Sequence, residues 1–154
     1  MSEDLKNFVN KFTKLRETFK KKLGTGNLKK IGNTLVVDIK KRITDGYGVE
    51  QNGHSKQKFK PLKASTIAKR AHYKRLSSKT SPSKSNQTFS GTFVKSIRAN
   101  VSKGKIEIGP GKKRQEVAAI QEEKGRPSIY LSKEEKKKLE NIISDILDEA
   151  LKDL

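Results

Sequence analysis

The sequence contains no cysteine and no tryptophan. Without cysteine there can be no disulfide, no thiolate nucleophile and no sulfur-ligated metal. Hydrophobic residues fill only 31% of the 154 positions, so the core must be modest and neighbouring subunits are an expected source of further stability. No apolar run approaches the roughly 20 residues that a helical membrane span requires. The first residues, Met1-Ser2-Glu3-Asp4, lack the basic and apolar stretches of a signal peptide. These absences predict a soluble chain, not secreted by that route, with no membrane partner. The length suits a single domain over residues 1–154.

Acidic residues are unevenly scarce. None occurs between Glu50 and Glu107, a stretch that holds 14 lysines and arginines. The formal net charge is +19, made up of +23 over residues 1–138 and −4 over residues 139–154. Such a field attracts polyanions at long range, whether nucleic acid, an anionic membrane or an acidic protein surface, and does not by itself choose among them.

Catalytic chemistry finds few candidates. Nucleophilic or acid–base catalysis needs a nucleophile, a base and an orienting group brought together. The two histidines, His54 and His72, both lie in the basic stretch, where a solvated or interfacial role is expected. There is no paired histidine at metal-ligand spacing, and that stretch has no carboxylate cluster. Gly109-Pro110-Gly111-Lys112-Lys113 lacks the glycine spacing and the Lys-Ser/Thr pair of a phosphate loop and reads as a turn. The expectation is a protein that is not an enzyme, with no cofactor and no metal.

Periodicity organises what is present. Leu5, Phe8, Val9, Phe12, Leu15, Phe19 and Leu23 recur at helical spacing, and Gly24-Thr25-Gly26 stops that helix. Asn27 is a candidate cap for a second helix with the stripe Leu28, Ile31, Leu35, Ile39 and Ile43, ended by Asp45 and Gly46. From Gly46 to about Gly91 the pattern dissolves into a long basic loop region, interrupted by one short helix carrying Ile67, Ala68 and Ala71. Phe93, Val94 and Ile97 predict a short helix. A hairpin follows, with one strand near Arg98 to Ser102, a turn at Lys103-Gly104 and a second strand through Ile106-Glu107-Ile108. Val117 to Ile120 predicts another short helix and Ser128 to Leu131 an extended piece.

The last helix is announced by a capping box, Ser132 with Glu135, ahead of Leu139, Ile142, Ile143, Ile146, Leu147, Ala150, Leu151 and Leu154. Its lysines come early and its acids late, against the helix dipole. An acidic tip of this kind is expected to meet something basic.

Within the basic loop, Lys56, Lys58, Lys60, Lys63, Lys69, Arg70, Lys74 and Arg75 are candidate contacts for a partner or for a phosphate backbone, with Phe59 and Tyr73 as candidate stacking rings. No recognition helix or RNA-binding motif accompanies them.

Five segments, read in order, resemble the tailed-phage virion-morphogenesis family, which includes tail-completion and neck proteins. They are the helix from Leu28 to Ile43; Phe59-Lys60-Pro61-Leu62 through Arg70; Ser90-Gly91-Thr92-Phe93 through Ile97; Val117-Ala118-Ala119-Ile120-Gln121; and Arg126-Pro127-Ser128-Ile129-Tyr130-Leu131-Ser132. The chain departs from the family pattern at Ser128, where an aromatic is preferred, at Val117, where tyrosine is, and in a basic insertion from Arg75 to Thr88.

The resemblance implies an α+β fold in which a small antiparallel sheet packs against helices, with long N- and C-terminal helices and a long basic loop. Residues 1–24 would be a helical extension and 27–154 a tail-completion-like domain with its basic loop over 46–90. It further implies a structural protein of the virion neck or tail, assembled in the host cytoplasm as a homo-oligomeric ring, with a hexamer the favoured size. Other neck, connector or tail-tube proteins would be partners, and DNA passing through the channel would be a further one. Asp145, Asp148, Glu149 and Asp153 are the candidate subunit interface, facing the basic body of the next copy. The alternative function is non-specific nucleic-acid binding through the basic loop.

Overall fold

The computed structural model describes residues 3–50, 55–74 and 92–153. Its elements in chain order are α1 (Glu3–Lys22), α2 (Thr25–Thr44), β1 (Tyr47–Val49), β2 (Lys56–Lys58), α3 (Ala64–Lys74), α4 (Thr92–Ser96), β3 (Ile97–Ser102), β4 (Lys105–Pro110), α5 (Gln115–Glu123) and α6 (Lys133–Lys152). A short 3-10 turn, Lys112–Arg114, leads into α5. The fold is mixed helix and sheet, with two small antiparallel two-stranded sheets instead of one.

The central element is α2, which packs against the β3–β4 hairpin, β1, α4 and α6. Its stripe explains this, because Ile31, Leu35, Ile39 and Ile43 are all buried along one face. Complete burial of side chains such as Leu35, Ile39 and Ile43 contributes about 1.5–3 kcal/mol each. The helix starts at Thr25 after Gly24, earlier than an Asn27 cap would place it. Asn27 instead donates its side-chain amide to the Lys22 carbonyl, bracing the corner between α1 and α2.

The β3–β4 hairpin follows its sequence pattern closely. Ile97, Ala99, Val101, Ile106 and Ile108 turn inward or sit half-buried while Arg98, Asn100, Ser102, Lys105 and Glu107 are exposed, an alternation that fixes the register. Lys103 and Gly104 close it with φ of 50° and 73°, the paired positive values that match a tight turn to the strand twist.

The stretch after Gly46 is more ordered than an irregular loop. Tyr47–Val49 pairs with Lys56–Lys58, and Val49 donates its amide to the Pro127 carbonyl at 3.0 Å. Phe59, next to β2, is 5% exposed and joins Val36, Ile39, Ile43, Phe93, Val94 and Ile97 in the core. The expected stacking ring is therefore a packing residue. His54, Arg75, the Arg75 to Thr88 insertion and the side chains of Tyr73 and Lys74 lie outside the described residues.

Candidate functional site

Three charged arrangements stand out. The first holds α6 to α2. Ser132 accepts a hydrogen bond from the Glu135 amide, and the Glu135 carboxylate accepts from the Ser132 amide at 2.8 Å, completing the capping box. The other Glu135 oxygen receives Arg42 Nε at 2.9 Å. Arg42 also donates to the carbonyls of Ser128 at 3.1 Å, Tyr130 at 2.9 Å and Tyr47 at 3.4 Å. One buried guanidinium thus ties α2, β1, the Ser128 to Leu131 segment and α6 together. A charged cleft of about 420 Å³ opens beside it, lined by Asp38, Lys41, Lys56, Glu134 and Lys138 among others. The Lys138–Asp38 and Lys56–Glu134 pairs, at 2.6 and 3.7 Å, bridge its walls.

The second arrangement is the acidic end of α6. Lys22 Nζ lies 3.0 Å from Asp153 and 3.5 Å from Glu149, and the hydrogen bond from Lys22 to Asp153 raises the lysine pKa above its ordinary value. Two of the four acids assigned by sequence to a neighbouring subunit therefore meet α1 of their own chain. Asp145 and Asp148 lie exposed on α6.

The third is basic. Lys56, Lys58, Lys60, Lys63 and Lys69 are all exposed along β2, the following linker and α3. Arg70 is not part of that outward surface, being 4% exposed. Burial, reinforced by the charge of Arg126, lowers its pKa from the usual arginine value. Near it, Arg126 Nη2 donates to the Lys60 carbonyl at 3.5 Å.

Sequence reasoning missed Arg42 as an organising residue, although its position three after Ile39 and seven after Leu35 puts a charge on the apolar face of α2. It also missed Lys22, whose partners are far away in sequence. Among the described residues, no three metal-ligating side chains come together, and no helix is long and apolar enough to cross a membrane. Set beside family models, curated proteins and solved structures, the chain matches none of them.

Proposed function

We propose that the chain is a structural protein of a tailed-phage neck or tail end, a tail-completion or head–tail joining component that works as a homo-oligomeric ring. One observation carries the reading: the five segments on which the family resemblance rests all feed one core. The α2 segment contributes Val36, Ile39 and Ile43, and the second segment contributes Phe59. Phe93, Val94 and Ile97 come from the third, Val117 and Ala118 from the fourth, and Ile129 and Leu131 from the fifth. Residues of the resemblance thus serve packing and capping, as the ordered motifs of a structural protein would.

A ring is assembled from heterologous contacts, in which one patch of each copy meets a different patch of the next. The modest core and the strong charge asymmetry of the chain suit such a subunit. Sedimentation velocity and negative-stain electron microscopy of the purified protein test the reading. Closed rings are expected, and neighbouring genes for capsid, portal or tail-tube proteins would agree with them.

A second reading, non-specific nucleic-acid binding, is favoured by the exposed run of Lys56, Lys58, Lys60, Lys63 and Lys69. It predicts a monomer or dimer that binds duplex DNA at physiological salt. That result would replace the ring.

A further inference from the structure

The apolar face of α1 is used for only half its length. Leu15, Phe19 and Leu23 are half-buried where α1 packs on α6. On the same face, one to two turns earlier, Phe8 is 67% exposed, Phe12 61% and Val9 46%. The Phe8 and Phe12 rings stack on each other with centroids 6.4 Å apart. In a chain this poor in apolar residues, three adjacent bare ones mark a surface to be covered.

A second bare stripe lies on α6. Ile143, Leu147 and Leu151 follow one another at four-residue spacing and are 38%, 38% and 47% exposed. They are turned away from the flank of α6 that holds α2 through Glu135 and Lys138. Among the described residues, both stripes are left open.

Their charged borders are opposite in sign. Exposed Lys11 and Arg16 stand beside Phe8 and Phe12, at three- and four-residue spacing on α1, whereas exposed Glu140 and Asp148 stand beside Ile143 and Leu151 on α6. We infer that the bare half of α1 docks on the Ile143–Leu147–Leu151 stripe of a second copy, with Lys11 and Arg16 against Glu140 and Asp148. Made in one direction this contact is head-to-tail, so its repetition closes a ring or extends a chain, whereas made reciprocally by two copies it closes a dimer. As the joint of a ring it rests on the function proposed above.

Other occupants fit less well. Pairing α1 with α1 of another copy would set Lys11 and Arg16 against their like. A negatively charged membrane would attract the basic helix but would repel the acid-bordered stripe on α6 and leave it bare.

The test uses the full chain at about 0.15 M salt, where charge pairs still act. Two charge-reversed proteins are made, Lys11→Glu with Arg16→Glu, and Glu140→Lys with Asp148→Lys. All four positions are exposed, and circular dichroism checks that folding is kept. Each variant alone should associate at least about tenfold more weakly than the parent in sedimentation, while an equimolar mixture of the two should recover association. Phe8→Ser with Phe12→Ser should also dissociate the assembly, with no recovery in any mixture of reversed charges.

Loss of association in both variants without recovery in the mixture would overturn the pairing. Rings that persist in every variant would overturn it too, while leaving the ring reading intact. Association that obeys the mixing rule but gives open chains or dimers would support the docking and sink the ring. A parent protein that stays monomeric, including one whose α1 binds phosphatidylserine vesicles instead, would overturn both.

Discussion

Arg42 Nε lies 2.9 Å from Glu135 Oε1, and both side chains are buried. The pair joins the central helix to the capped first turn of the last one, and the Ser128, Tyr130 and Tyr47 carbonyls are the guanidinium's further partners. Removing one member leaves the other charge buried and uncompensated. Arg42→Met is expected to destabilise the fold by about 3–5 kcal/mol, and Arg42→Lys to recover little, since an ammonium cannot reproduce the planar fork. Arg42→Met combined with Glu135→Leu should lie closer to the parent than the sum of the single changes. Urea denaturation of the four proteins checks the cycle.

Gly32 in α2 faces the hairpin so closely that an added Cβ would stand 2.7 Å from Ala99 Cβ and 3.0 Å from Ile106 Cγ2. Two effects then compete in Gly32→Ala. Alanine gains up to about 1 kcal/mol in helix propensity, but overpacking so tight an approach costs about 1–3 kcal/mol. Because Ala99 Cβ is anchored directly to a strand backbone, it cannot swing aside, and overpacking should win. A lowered melting temperature in Gly32→Ala, recovered in part by adding Ala99→Gly, is the expected outcome.

The parts of the fold that sequence makes legible are those with local causes. The α2 stripe, the alternation through Ile106 and Ile108 and the Ser132–Glu135 box each lie within one element, where periodicity or a single cap decides the structure. Strand β2 is illegible for the opposite reason. Lys56-Gln57-Lys58 has no apolar residue and all three side chains are exposed, so only backbone pairing with β1 makes it a strand. Phe59 reads as a stacking ring because its neighbours are lysines, yet it is the residue that anchors this basic stretch to the core. The acidic end of α6 does meet a base, as its charge implies, and tertiary structure supplies Lys22 from α1. No local pattern links positions so far apart.

The Lys22 contact has a pH dependence of definite sign. Its hydrogen bond to Asp153, with the nearby Glu149 charge, raises the Lys22 pKa above 10.5. A raised lysine contributes fully below its unfolded pKa and loses that contribution as pH climbs through the folded one. The lysine side of the docking of α1 on α6 should therefore loosen as the solution turns alkaline. Ring-proton shifts of Phe19, half-buried in that contact, should move as pH rises past the ordinary lysine value. In Lys22→Met the alkaline step should vanish and the loosened spectrum should already be present at neutral pH.

The basic surface separates electrostatic from structural effects. Lys56, Lys58, Lys60 and Lys63 are all exposed, and Lys56 is already matched by Glu134 at 3.7 Å. If DNA is a partner, changing Lys58, Lys60 and Lys63 to Gln should lower affinity evenly across sequences. Removing each lysine–phosphate pairing should reduce the log–log salt slope by about 0.9, and Lys56→Gln should do less than Lys58→Gln or Lys63→Gln. Phe59→Ala should act differently, lowering the stability of the free protein by about 3–5 kcal/mol as a core truncation. A stacking residue would instead lose single-strand affinity with stability unchanged. Fluorescence anisotropy over a salt series, alongside denaturation of the same variants, distinguishes these outcomes. Weak DNA affinity that salt abolishes in the parent protein itself would turn this surface toward an acidic protein partner, as the neck reading allows.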